Sequence, residues 1–318
     1  MAPEAVQTPL SLRERYAGLL YGALAADALS LAAHWIYDQD ELHQRFGKIT
    51  DFAAPPADGY HKGKQLGDQT HYGDQSLVLM DSLAACGGNF VMDDFATRWR
   101  RFAEESTAYH DHATKDTLEH LRADTGLTKA GSESTELGGA ARIAPILVAL
   151  RHEDAPVIIG AARAQTALTH GTPEVVEAAE WLARTVFLLL RGVSVASAIR
   201  ASLGFPYKTL PAETILPRVE SLRDRPTLEA VKELGQSCPL EKAFPAVLLI
   251  LLQHGDNLET ALEQNVQAGG DSAARGMVLG TILGAAHGRR AIPERWLGKL
   301  RARPQVEEFL RLMEIGED

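Results

Sequence analysis

The residues whose type and setting best suit chemistry are Asp271 and Asp74. Asp271 follows Gly269-Gly270 and opens the helical run Ser272–His287. Two glycines let a backbone turn tightly and approach a ligand, because they lack the Cβ that closes those conformations to other residues. An Asp at the next position suits a helix N-cap, its carboxylate accepting from the free N–H groups of the first turn. Asp74 lies in Tyr72-Gly73-Asp74-Gln75-Ser76, directly ahead of the run Leu77–Ala85, where Asp74 or Ser76 is a candidate cap. Two carboxylates at two helix starts can converge on a cation. Magnesium is held in that way, by one or two carboxylates with waters and substrate oxygens completing its octahedron.

Three further stretches carry polar groups of interest. Ser134 to Pro145, with Gly138-Gly139 and Arg142, is a small-residue loop entering a helix. It reads either as a phosphate cradle built from free N–H groups or as a plain glycine-rich turn. His170, between Thr169 and Gly171, sits between two helices and either lines a site or satisfies backbone groups. His110-Asp111-His112 resembles a metal pair, but such adjacent residues ahead of a helix more often form a solvated turn. The sequence holds no HExxH, P-loop, GxSxG or GxGxxG pattern, so the usual metalloprotease, nucleotidase, hydrolase and dinucleotide-fold signatures are missing.

The elements that must position these groups read as helices. Gly276, Gly280, Gly284 and Gly288 fall at strict i+4 spacing on one helix face, and Gly18, Gly22 and Ala26 form a similar ridge ahead of Asp27. Glycine within a helix costs about 1 kcal/mol relative to alanine, so such a ridge needs a close neighbour as its reason. Antiparallel packing of the two ridges would bring Asp27 beside Asp271. Amphipathic runs recur at Met92–Glu105, Lys115–Leu121, Gly139–Leu150, Ala155–Leu168, Pro173–Arg191, Val195–Leu203, Ala243–Gln253, Asn257–Ala268 and Pro304–Met313. Gly87-Gly88, Gly138-Gly139, Gly192 and Pro245 read as stops between them. Thr50–Tyr72, rich in Gly, Pro, Asp and His, reads as a long loop, and a long loop in a compact domain is usually functional or disordered. With no alternating strands and no βαβ rhythm, the 318 residues are expected to form one all-α domain with its core at about 12–290.

Composition narrows the function classes. A net charge of −10 argues against general nucleic-acid binding. Cys86 and Cys238 stand alone, which suggests neither a zinc framework nor disulfides and makes a reducing cytoplasm the default. Ala17–Tyr37 is largely apolar, but Asp27 and the small residues argue against a membrane span, and Glu4 and Glu14 against a secretory leader.

Taken in order from about Gly18 to Gly288, these stretches resemble the ADP-ribosylglycohydrolase family. Gly22–Leu29 is similar to its opening helix, Tyr72–Ser76 stands where it has Thr/Ser-Asp-Asp-Thr, and Gly139–Pro145 and Leu168–Pro173 match its Arg-containing and Thr-His segments. Gly269–Gly288 looks like its closing Gly-Gly-Asp-Thr-Asp-Thr helix. The resemblance implies an orthogonal all-α fold that removes ADP-ribose from acceptors with a pair of magnesium ions. Of the ligands so implied, Asp74 and Asp271 are present. Gly73, Gln75, Ala273 and Ala274 replace the others, and His34 stands where many members carry Glu.

These replacements imply a degenerate site holding at most one magnesium ion, between Asp74 and Asp271, completed by substrate oxygens. Alternatively the two carboxylates act without metal as an acid/base pair on the glycosidic bond. The substrate cleft is expected to include His34, Tyr72, Gln75, Ser76, Gly138, Gly139, His170, Gly269 and Gly270. Arg142 and the helix starts are expected to favour an anionic ligand of the ADP-ribose type there. The expected activity is hydrolysis of a glycosidic bond to ADP-ribose or a related nucleotide-sugar. The alternative is a non-catalytic ADP-ribose-binding or structural protein of the same fold, as the family's crystallin relatives are.

Overall fold

The computed structural model describes residues 10–315, so Glu4 lies outside the described residues. The fold is all-α, and among the described residues the only extended pairing is two isolated bridges, Ser132 with His170 and Glu136 with Pro239. At its centre lies the helix Leu12–Ser30, started by the Ser11 hydroxyl, which accepts from the Glu14 N–H at 3.2 Å. From Ala17 to Ser30 every residue is buried. A helix that is apolar or small on all sides is an interior helix, and this one has neighbours all round.

Its main neighbour is the helix Ser272–His287, buried from Ser272 to Ala285. The two run antiparallel with their glycine ridges facing. A Cβ built on Gly18 would collide with the Gly284 carbonyl, one on Gly22 with the Gly280 carbonyl, and each collision is returned. Gly276 is looser, its Cβ falling 3.2 Å from the Ala26 carbonyl. The Ser30 hydroxyl donates to the Ser272 carbonyl at 3.1 Å, so the end of one helix is fastened to the start of the other. The small-residue ridges thus mark the central crossing, as their spacing predicts.

Several boundaries differ from the sequence reading. The helix expected from Leu77 begins at His71 and runs to Ala85, because Thr70 and not Asp74 or Ser76 caps it, accepting from the Tyr72 N–H at 3.2 Å. The run Gly139–Leu150 is two short helices, Gly138–Ala141 and Ala144–Ala149, broken at Arg142-Ile143. Pro245 lies inside Leu240–His254 rather than ending a helix. It lies early in that helix, and the fully buried run Ala246–Leu251 outweighs one lost hydrogen bond. Residues 47–70 form the loop expected at Thr50–Tyr72, whose last two residues instead open the helix His71–Ala85, and the segment after the glycine-ridge helix holds it down. The Arg301 N–H donates to the Gly67 carbonyl at 3.0 Å, and Trp296 Nε1 and Arg295 donate to the Thr50 carbonyl at 3.0 and 2.9 Å. No helix among the described residues is long and apolar enough to cross a membrane.

Candidate active site

The Gly269-Gly270 turn has both residues at positive φ, 76° and 67°, and no room for a Cβ at either. It is fixed from two sides. Gly270 exchanges backbone bonds with the chain at Trp35–Ile36, at 2.7 and 2.8 Å. The fully buried Arg275 donates to the carbonyls of Gly269 and Gln236 and to Asn265 Oδ1, at 2.6, 2.9 and 3.0 Å. Asp271 therefore has little freedom. It caps its helix as the sequence predicts, accepting from the Ala274 N–H at 3.3 Å, and is wholly buried. Its Oδ1 lies 3.6 Å from His34 Nδ1, and its Oδ2 has no partner. Burial raises its pKa, against the pull of Arg275 and the Ala274 N–H.

Asp27 fixes the second helix start. It is wholly buried and accepts from the Thr70 N–H and hydroxyl at 2.7 and 2.6 Å, which sets the cap that starts His71–Ala85. Burial pushes its carboxyl up to about 6 even so. Asp27 and Gln69 crowd Gly73 so closely that no side chain fits there. Glycine at this position, where a Thr or Ser ligand was expected, fits that crowding. Asp74 is held in an ion pair with Lys64 from the loop. Gln75 is buried and its Oε1 accepts from Trp99 Nε1 at 2.7 Å and from Arg142, whose other arm reaches Thr169. Arg142 is thus spent in the core, rather than offered to an anion. Gly138 and Gly139 press against the rings of Tyr72 and His170. Tyr72 Oη, Ser76 Oγ and His170 Nε2 are buried without partners, while His170 Nδ1 meets Thr169 Oγ1 at 2.9 Å.

His61 and His71, which the sequence did not single out, complete the cleft around His34. The rings of His34, His61 and His71 gather with centroids 5.5 to 5.9 Å apart, each of them buried. Asp111, which caps His112–Arg122 through the Thr114 N–H at 2.6 Å, stands 3.3 Å from His71 Nε2. Burial alone would raise its pKa, but the contact with His71 holds that carboxyl well below the usual range. His110 and His112 are not part of the gathered group. Glu136, on the loop bridged to Pro239, has an unpartnered buried Oε2. Burial first, then the charges of Asp111 and Asp271, push it up to about 7. Trp35, Tyr60 and Tyr109 pack edge to face over the rings, their centroids 4.8 to 5.2 Å apart. Trp35 has φ 67°, a costly conformation for a bulky residue, and its indole N–H donates to Cys238 Sγ at 3.2 Å. A cavity of about 200 Å³ opens between His34, Trp35, Tyr60 and His61. A larger cavity, about 550 Å³, lies at the other end of the central helix pair, among Arg13, Tyr21 and Arg289.

The order of these elements along the chain matches a known pattern. The family model for ADP-ribosylglycohydrolase covers residues 8–317. The chain belongs to the ADP-ribosylglycohydrolase family. A solved structure titled ADP-ribosylglycohydrolase-related protein complex superposes with a TM-score of 0.69 at 26% identity, covering 96% of this chain and 99% of that one. An uncharacterized protein of Archaeoglobus fulgidus is 26% identical over 94% of this chain and 95% of its own length. Crystallin J1A of Tripedalia cystophora is 21% identical over 93% and 95%.

A pair of magnesium ions, which ADP-ribosylglycohydrolase membership implies, does not fit the residues present. Magnesium takes oxygen ligands. Here Lys64 neutralises Asp74, the Gln75 oxygen is already doubly bonded, and Ala273 and Ala274 offer no oxygen. What gathers in the cleft instead is imidazole nitrogen.

Proposed function

We propose that this member of the family hydrolyses a glycosidic bond to ADP-ribose or a related nucleotide-sugar, using Asp271 and Glu136 as its working carboxylates. The observation that carries this reading is the pair itself. Asp271 is buried and Glu136 half-buried, each has one buried oxygen without a partner, and burial first, then the charges of Asp111 and Asp271, hold the Glu136 proton to near neutral pH. Cleavage of a glycosidic bond by acid/base chemistry uses a pair of carboxyl groups.

In this mechanism Arg275 and the helix N-terminus support negative charge on Asp271 against the burial that raises its pKa, and its Oδ2 faces the positive charge that builds on the ribose ring in an oxocarbenium-like transition state. Glu136, ionised above about pH 7, takes the proton of the attacking water through Oε2 and passes it to the departing acceptor. His34 fixes the orientation of Asp271, and Trp35, Tyr60 and Tyr109 exclude solvent and offer aromatic faces to the base or sugar. Asp74 in this reading serves the loop through Lys64. Magnesium, at most one ion by the sequence reading, enters no step.

The test is release of ADP-ribose from arginine- and serine-linked ADP-ribosylated peptides, NAD and ADP-ribose 1″-derivatives, for wild type, Asp271→Asn and Glu136→Gln. Release by wild type that both substitutions reduce at least about 100-fold supports the reading. A second reading, a non-catalytic ADP-ribose-binding or structural protein, is favoured by Gln75, which is built into the core where the family carries a ligand. Saturable ADP-ribose binding with no release from any of these compounds would establish it.

A further inference from the structure

We propose that His34, His61 and His71 form a binding site for one first-row transition-metal ion of the zinc type, in place of the family's magnesium pair. The inference concerns the same cleft but stands whether or not the protein hydrolyses anything.

Each of the three side chains offers one ring nitrogen, and the three atoms lie within 4.8 Å of one another. Zinc–nitrogen bonds of about 2.0–2.1 Å in a tetrahedron place the ligand atoms roughly 3.4 Å apart, so small side-chain rotations complete the set. The nitrogens are otherwise unexplained. Both nitrogens of His34, both of His71 and Nε2 of His61 are buried with no hydrogen-bond partner. Buried polar groups are nearly always satisfied, and orphaned nitrogens on three adjoining rings indicate a missing partner. An ion that accepts lone pairs satisfies all three at once.

Two of the rings also face carboxylates, a second feature of built metal sites. His71 turns its Nε2 to Asp111 Oδ2 at 3.3 Å, and His34 turns its Nδ1 to Asp271 Oδ1 at 3.6 Å. A carboxylate behind a ligating histidine fixes the ring and its tautomer and raises its basicity. It also supplies charge. Three neutral imidazoles leave a divalent ion uncompensated in a buried pocket, and Asp111 and Asp271 together offset it. Imidazole ligands suit zinc, copper, iron or nickel, whereas magnesium wants oxygen, so the donor set that gathers here selects against the ion implied by the family. The His110-Asp111-His112 motif thus contributes through its middle residue. Asp111 is a positioning residue for His71, while the two flanking histidines lie outside the cluster.

The experiment uses full-length protein stripped with a chelator and titrated with zinc and, separately, cobalt. The expected result is one equivalent bound per chain, with the visible d–d absorption of four-coordinate cobalt, undisturbed by a large excess of magnesium. His34→Ala and His61→Ala lose the cobalt spectrum, His112→Ala keeps it, and Asp111→Asn weakens the affinity about 10- to 100-fold. X-ray absorption of the wild-type zinc protein adds a measurement that needs no variant, with about three nitrogen ligands expected at about 2.0–2.1 Å. No saturable equivalent, a spectrum unchanged in His34→Ala and His61→Ala, or an all-oxygen shell would overturn the proposal. Because the readouts are stoichiometry and coordination, metal binding without turnover would sink the hydrolase reading alone, and turnover by a protein that binds no equivalent of zinc or cobalt would sink this one alone.

Discussion

Alanine placed at two glycines should have opposite effects, and the structure sets the size of each. Gly280 faces backbone: a Cβ there meets the carbonyl carbon and oxygen of Gly22 and, at 2.9 Å, the Ala23 nitrogen. Backbone cannot turn aside as a side chain can, so the two central helices must separate. Overpacking costs about 1–3 kcal/mol, and the absence of any rotamer escape puts this site near about 3. The better helix propensity of alanine returns about 1 kcal/mol, leaving a net loss of about 2. Gly160 lies within Ala155–Thr169 with nothing within 4 Å of a built Cβ. There only the propensity gain remains, about 1 kcal/mol of stabilisation. For a chain of this size these translate to a fall of about 4 °C and a rise of about 2 °C in Tm. Parallel thermal melts and urea titrations of Gly280→Ala, Gly160→Ala and wild type measure both. Turnover should fall further in Gly280→Ala than stability alone explains, because separating the helices moves Asp271 relative to His34. Equal shifts of the same sign in the two variants would refute the close-crossing argument.

Glu136 has a pKa raised to about 7, so turnover should climb with pH through about 7 as that carboxyl ionises, and Glu136→Gln should flatten this limb and lower the rate about 10²- to 10⁴-fold. The same shift also acts on folding: the protonated form is favoured in the native state, so stability from this group is fully present below about pH 4.5 and is lost as pH rises through about 7. Chemical denaturation of wild type and Glu136→Gln across that range should converge at the acid end and diverge in favour of the variant above it. Lys64→Met strands the largely buried Asp74 carboxylate and should cost about 3 kcal/mol at neutral pH, a deficit that shrinks in acid as Asp74 takes up a proton; a deficit independent of pH would show that the ion pair is not its source. Asp271→Asn keeps shape while removing charge, so calorimetry should find ADP-ribose still bound within about tenfold of wild type although turnover is lost.

The central crossing was legible because its cause is local and periodic: a glycine every fourth residue on two helices has few explanations other than close approach. Asp271 was legible for the same reason, since a Gly-Gly turn followed by a cap is written in consecutive residues. The rest of the site is not local. His61 comes from the middle of a loop, Asp111 from a cap 50 residues further on, and Glu136 from a turn pinned to Pro239, and no spacing links them. Glu136 lies inside the stretch that reads as a phosphate cradle, but a cradle is made of backbone N–H groups and gives its carboxylate no part. Arg142 misled in the other direction, because a lone arginine beside a glycine-rich turn gives no sign that Gln75 and Thr169 will absorb it. Thr70 escapes notice as a cap because the apolar run that marks the helix starts later, at Leu77.

The loop over the cleft is anchored near both ends, at Thr50–Asp51 and at Gly67–Asp68, and every one of these anchors belongs to the segment Arg295–Arg301. Lys64 adds a tie to Asp74, and the stretch before it carries Tyr60, the exposed aromatic at the rim, directly joined to His61, the innermost ring of that loop. Access and ligation are therefore one motion. A ligand too large for a 200 Å³ opening has to swing Tyr60 aside and draws His61 out with it. The cluster would then be complete only when the door is shut, and a molecule would pass two histidines on its way in and be enclosed by three.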